Sequence, residues 1–202
     1  MTKNKYRIIG ITGGIGSGKS FICNKLKEKG YVIYEADAAA KEIMKSNQVV
    51  QAIKKEFGEN SYIQGELNKQ HLSNLFKNPK ELQKLNAIVH PVVAQHFENF
   101  LLQLQTPFPF IFKEAAILFE SGTWKNCHQI VTIFAPLGIR IQRILKRDPQ
   151  LTIDQIQSRM QQQWPDEWKI KHSHFVIFND EIQDLNKQIQ KMLCFIQKIP
   201  NQ

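Results

Sequence analysis

Five short runs of the chain are close to continuously apolar: YRIIGIT (6–12), YVIYEA (31–36), FPFIFKEA (108–115), QIVTIFA (129–135) and FVIFN (175–179). Runs of this length, rich in Ile, Val, Phe and Tyr, predict strands buried on both faces. Between them the period changes. Residues 18–29 predict a helix stopped by Gly30. Residues 181–199 put Ile182, Leu185, Ile189, Met192, Leu193, Ile196 and Ile199 on one stripe, the pattern of an amphipathic final helix. Strands alternating with helices predict a parallel sheet with helices on both faces.

The spacing is uneven. About 70 residues separate the second run from the third, well beyond one crossover helix. This stretch predicts an inserted lobe of several helices. One carries Leu67, Leu72, Leu75 and Phe76, and the next carries Leu82, Leu85, Ile88 and Val89. Pro91 is expected to break the pattern before a third with Val93, Phe97, Phe100, Leu101 and Leu104. A second insertion separates the fourth and fifth runs. Its basic helix GIRIQRILKR (138–147) ends near Asp148-Pro149, and Thr152 with Gln155 forms a capping box for another. Residues 157–172 are polar and hold Trp164 and Trp168.

At 202 residues the chain has room for one ordinary core with inserted lobes. Its net charge of +9 favours polyanionic partners without choosing among them. The charge is spread along the chain with no long Lys/Arg tail, which weighs against nucleic acid. Cys23, Cys127 and Cys194 form no CxxC, so they read as reduced core or near-surface residues of a cytoplasmic protein. The apolar run near the N-terminus is too short for a signal peptide, and no segment approaches a membrane span.

One stretch specifies its ligand. GITGGIGSGKS (10–20) fits GxxxxGK[ST] in full, between an expected strand and an expected helix. Gly13, Gly14, Gly16 and Gly18 permit unusual backbone angles and remove side chains that would block a phosphate. The amides of Ile15, Ser17 and their neighbours can then form an anion nest at a helix N-terminus. Lys19 would reach the β- and γ-phosphates, and the Ser20 hydroxyl would coordinate Mg²⁺. A dinucleotide site fits less well, because Lys19-Ser20 has no job there.

The chain lacks an NKxD base-recognition motif, a DxxG switch and an LSGGQ-like signature. A small kinase is what remains. It needs an acceptor pocket, a carboxylate and arginines that neutralise charge. Asp37, just past the second strand, could accept the proton of an attacking hydroxyl, or could instead serve as a helix N-cap. Glu35 and Glu114 are alternatives, Glu114 in the style of a Walker B acid. Arg140, Arg143, Arg147 and Arg159 are candidate charge clamps.

Taken in order, the motifs resemble the dephospho-CoA kinase family over nearly the whole chain. They are ITGGIGSGKS (11–20), EADAAAK (35–41), His90-Pro91, Ile117 through Glu120, Arg147-Asp148, Arg159 through Gln163, and Val176 through Asn179. Glu35 stands where the family has a first aspartate, and Ala115-Ala116 where it has a proline. The resemblance implies an α/β P-loop kinase fold, a five-stranded parallel sheet flanked by helices, with a helical substrate-binding insertion and a lid. Residues 1–59, 108–137 and 173–202 would form the nucleotide-binding core, 60–107 the CoA-binding insertion and 138–172 the lid.

It implies the reaction as well: ATP with Mg²⁺ phosphorylates the ribose 3′-hydroxyl of dephospho-CoA. Asp37 would be the base, with Lys19, Arg143 and Arg147 stabilising the moving phosphoryl group. Gly13 through Ser20 would hold ATP together with Arg147, Arg159 and Asn179. Asp37, His90 and Glu120 would contact the acceptor, and Ser20 the metal. The expected partners are the two small molecules alone, with no nucleic acid or membrane, and the enzyme is expected to be a monomer. Two other readings stand beside it: a related P-loop kinase for another nucleotide or sugar, and a nucleotide-dependent nucleic-acid-binding module.

Overall fold

Isoleucine-rich β1 (Arg7–Thr12) is buried along its whole length, as a strand covered on both faces must be. In the computed structural model, which describes residues 6–68, 70–72 and 78–198, it is the central strand of a five-stranded parallel sheet. The order is β2 (Ile33–Glu35), β5 (Phe110–Glu114), β1, β6 (Gln129–Phe134), β7 (Phe175–Phe178). The register pairs Ile9 with Phe112 on one side and with Gln129 on the other. Each of the five apolar runs therefore supplies one strand.

The chain divides into two compact units, one of residues 1–34 and 106–202, the other of residues 35–105. In the first, α1 (Lys19–Glu28) and α8 (Leu185–Gln197) bury Ile22, Leu26, Ile189, Met192 and Ile196 against Ile9, Ile11, Phe112 and Ile133. Each such side chain contributes roughly 1.5–3 kcal/mol on burial. Gly30 (φ 84°) ends α1 as expected. Gly10 sits mid-strand for a steric reason: a Cβ there would lie 2.7 Å from Leu118 Cδ2 and 3.0 Å from Cys127 Sγ. Helices α5 (Leu137–Arg147), α6 (Ile153–Gln161) and α7 (Asp166–Lys171) fill the chain between β6 and β7. The Thr152 capping box forms: its hydroxyl accepts from the Gln155 amide at 3.3 Å, and Gln155 Oε1 accepts from the Thr152 amide at 3.0 Å.

The second unit holds α2 (Ala36–Ile43), α3 (Asn47–Phe57), the short antiparallel pair β3 (Tyr62–Ile63) and β4 (Glu66–Leu67), and α4 (Pro79–Gln103). Its own core gathers Ile43, Val49, Ile53, Phe57, Tyr62, Leu72 and Val89.

Three local expectations need correction. Leu67 lies in β4, because Gln64 and Gly65 adopt positive φ and turn the chain into a hairpin. Leu75 and Phe76 lie outside the described residues, as does Ile199. Pro91 does not break the helix, which runs through it for 25 residues. An interior proline costs about 3 kcal/mol. Leu85, Ile88, Val89, Val92 and Val93, on both sides of it, share one core, and their burial outweighs that cost. The last helix starts at Leu185, after Ile182, which is 88% exposed. Asp180 Oδ1 takes the Ile182 and Gln183 amides in a turn, and Asp184 then caps the helix through the Lys187 amide.

Candidate active site

The GxxxxGKS segment leaves β1 at Thr12 and enters α1 at Lys19, with the left-handed Gly18 (φ 93°) as its N-cap. No side chain caps this helix end, the arrangement in which first-turn amides are available to an anion. Gly13 and Gly16 also adopt positive φ, at 152° and 81°. Lys19 is buried and donates from Nζ to the Gly13 carbonyl at 3.0 Å, which closes the loop on itself. Ser17 donates its amide to the Gly14 carbonyl at 3.1 Å and Ile15 donates its own to Gln163, so these two amides are engaged within the protein and not open to the expected nest. The Ser20 hydroxyl is at an exposed position.

The loop is braced from the far end of the chain. Asn179, just past β7, donates from Nδ2 to the Ser17 carbonyl at 2.8 Å. Arg143 on α5 donates to the Asn179 carbonyl at 3.1 Å and to Glu181 at 2.9 Å. Arg140, also on α5, donates from Nε to the Ile15 carbonyl at 2.8 Å and forms an ion pair with Asp166. It is only 5% exposed, so it acts as a strut inside the fold. Gln163 completes the set, accepting the Ile15 amide at 2.8 Å.

The glycines are therefore required by packing as well as by phosphate. A methyl on Gly13 would land on the Ile133 carbonyl, a backbone atom of β6, and one on Gly18 would meet Asn179 Nδ2. Gly13→Ala is expected to lose about 1–3 kcal/mol by overpacking alone. That is roughly 2–12 °C in Tm for a chain of this size, readable by calorimetry. An unchanged Tm would contradict the close approach.

Glu114 ends β5 beside Ile11 of β1, at the edge of the sheet where the phosphate loop begins. Lys113, the residue before it, interacts electrostatically with Cys127. Burial holds the Lys113 pKa below its usual value, and burial pushes the Cys127 thiol up to about 11, so Cys127 stays protonated.

The other expected site residues are placed as follows. Glu120 Oε1 accepts the Trp164 amide at 2.8 Å and lies 2.8 Å from the fully buried Lys169 Nζ, an ion pair outside hydrogen-bond angles. Phe119, Trp164 and Trp168 pack against one another, with Phe119 and Trp168 edge-to-face at 5.3 Å. Arg147 is an exposed arginine paired with the adjacent Asp148 at 2.8 Å. Arg159 is exposed on α6 and has no ion-pair partner among the described residues.

Asp37 and His90 belong to the second unit. Asp37 lies in the first turn of α2, where the helix dipole favours a carboxylate. The N-cap of that helix is Glu35, which makes no side-chain cap bond. Helix α2 packs against α4, which carries His90. Burial lowers the His90 pKa from its usual value, so the folded protein favours the neutral ring. As pH falls through the unfolded value of about 6.5, the unfolded chain takes up this proton first and stability drops, levelling off below the folded pKa. His90→Gln is expected to lose less stability than the parent between about pH 7 and pH 5 in urea titrations, and equal losses would contradict the assignment.

Sequence reasoning passed over Asp166, met Gln163 only as the end of the Arg159 through Gln163 motif without a role, and took Arg140 for a phosphate clamp candidate. One signal was present: Arg140 stands four residues before the buried Ile144, on the same face of α5, and a charge there calls for a partner.

Comparison with known proteins bears on the fold and the family. The family model described as dephospho-CoA kinase matches residues 7–184. A dephospho-CoA kinase of Chlorobaculum tepidum is 36% identical over 92% of this chain and 92% of its own. One from Bacteroides fragilis is 37% identical over 95% of this chain and 94% of its own. Among solved structures, a Thermus thermophilus protein superposes with a TM-score of 0.83 at 30% identity, covering 97% of this chain and 99% of that one. A shikimate kinase from Acinetobacter baumannii, at 14% identity and a TM-score of 0.56 over 98% and 97% of the two chains, shares the fold alone. With the match spanning sheet, phosphate loop and braces alike, the chain belongs to the dephospho-CoA kinase family.

Proposed function

We propose that this protein transfers the γ-phosphoryl group of ATP to the ribose 3′-hydroxyl of dephospho-CoA, giving coenzyme A and ADP. The observation that carries it is the complete phosphate loop, closed by Lys19 and braced by Arg140, Arg143 and Asn179, in a chain of this family. In the reaction a bond forms between the 3′-oxygen and the γ-phosphorus, and the bond to the β,γ-bridging oxygen breaks. The hydroxyl proton goes to Asp37, acting as base. Lys19, Arg143 and Arg147 neutralise charge on the transferred group. For Arg147 this requires leaving Asp148, an exposed pair worth little in solution.

Mg²⁺ fits the residues present. Ser20 offers an exposed hydroxyl and Glu114 a carboxylate at the end of β5, both hard oxygen donors. Among the described residues no group of three or more His, Cys, Asp or Glu could hold a metal, which suits an ion carried mainly by substrate phosphates and water. The ion would supply charge neutralisation on the phosphates.

In this reading residues 60–107 hold the CoA moiety, with His90 and Glu120 serving the acceptor, and residues 138–172 close over the phosphates. Two polyanionic substrates account for the +9 charge without a nucleic-acid partner, in a cytoplasmic monomer. Among the described residues no helix is long and apolar enough to cross a membrane. The test is a coupled assay of the purified protein with ATP, Mg²⁺ and dephospho-CoA beside a panel of nucleosides and sugars. Coenzyme A formation supports the assignment. Turnover of a panel acceptor with none of dephospho-CoA would sink it.

A further inference from the structure

The middle residue of the phosphate loop is gripped on both sides of its backbone. The Ile15 amide donates to Gln163 Oε1 at 2.8 Å, and the Ile15 carbonyl accepts from Arg140 Nε at 2.8 Å. Both grips trace to one short segment after α6: Gln163 holds directly, and Asp166 holds through its ion pair with Arg140. Gln163 reaches further. Its Nε2 donates to the Ala116 carbonyl at 3.1 Å, in the stretch that follows β5.

We propose that Gln163 is a positioning residue of the nucleotide site, fixing the Ile15 peptide, and with it the phosphate loop, to the segment beyond β5. The chemistry selects a side-chain amide. A carboxylate could accept from Ile15 but could not donate to the Ala116 carbonyl, and a lysine or arginine could donate but not accept. A side-chain amide does both at once through two separate atoms, and Asn, which shares that chemistry, is one methylene shorter.

The need for such a brace follows from the loop's composition. Glycine at 13, 14, 16 and 18 leaves the backbone between β1 and α1 with unusual freedom. Arranging amides around a phosphate then costs entropy at the moment of binding, unless the loop is held beforehand. Lys19 ties Gly13, and Asn179 ties Ser17. Ile15 lies between those two ties, and Gln163 and Arg140 are what hold it.

This inference rests on the reading that the loop holds the phosphates of ATP, and the experiment separates the two. Binding of ADP is measured by calorimetry for the parent, Gln163→Leu and Gln163→Glu. The KM values for ATP and for dephospho-CoA and the Tm are measured alongside. Gln163→Leu loses the bonds to both Ile15 and Ala116, and release of the Ile15 peptide predicts a rise of roughly 3–10-fold in the ADP Kd and the ATP KM, with the acceptor KM unchanged. Gln163→Glu keeps the size and the acceptor but turns an oxygen toward the Ala116 carbonyl, and is expected to weaken ADP at least as much. It also keeps the question answerable if the leucine variant does not fold. A lower Tm with ADP affinity and the ATP KM unchanged in either folded variant would overturn the proposal and leave Gln163 a stability residue. Absence of ADP binding in the parent protein would sink the phosphate-loop reading itself. ADP binding without turnover of dephospho-CoA would sink only the acceptor assignment.

Discussion

Asp37→Asn is expected to lower kcat by about 10²–10⁴-fold while leaving the affinity for ATP within a factor of about two. The amide matches the carboxylate in size, so the first turn of α2 keeps its shape and loses only a proton acceptor. The helix loses a favourable charge at its N-terminal end, worth about 0.3–1 kcal/mol, which a Tm measurement separates from the kinetic effect. Steady-state kinetics with saturating ATP and dephospho-CoA read the outcome. Turnover at the parent rate would move the base role to Glu35, two residues earlier at the end of β2, or to Glu114 at the end of β5.

Lys19→Ala is expected to reduce kcat/KM for ATP by about 10²–10³-fold, the scale seen when one charge-stabilising donor is removed from a transition state. Two effects combine. The ammonium no longer meets the phosphates, and its 3.0 Å bond to the Gly13 carbonyl no longer closes the loop. Calorimetry with ADP separates them, since an effect confined to the transition state leaves the ADP Kd near the parent value. Retention of both ATP affinity and transfer would discredit the phosphate loop as the donor site.

What could be read in the sequence was whatever follows from a local pattern. The five strands were legible because burial on both faces leaves an apolar run with no polar alternation, as in RIIGIT of β1. The phosphate loop was legible because its work is done by the backbone, and only glycine permits that backbone. Errors came where distant packing overruled a local rule. Pro91 should end a helix, and the core on either side carries the helix through it. Ile182 fits the stripe of α8, yet Asp180 and Asp184 shape the chain before Leu185 so that it stays outside. The residues that brace the loop were named from the sequence, but their bracing contacts were invisible for a related reason. Arg140, Gln163 and Asn179 bond to carbonyls and amides, and a backbone atom at position 15 or 17 leaves no trace in the identity of the residue there.

The braces also set an order of events in folding. Ser17 and Asn179 are 162 positions apart, and Ile15 and Gln163 are 148 apart. Contacts so distant come after the sheet that brings their ends together, because loop-closure entropy must be met first. A growing chain thus carries GxxxxGKS long before it has a rigid anion site. Nucleotide would then bind the finished protein and little that precedes it. At a hundredfold excess over Kd that adds about 2.7 kcal/mol to the native state. A contribution absent from the transition state for folding leaves the folding rate alone and slows unfolding. The substrate would act as a latch on the completed enzyme, lengthening its lifetime without hastening its birth.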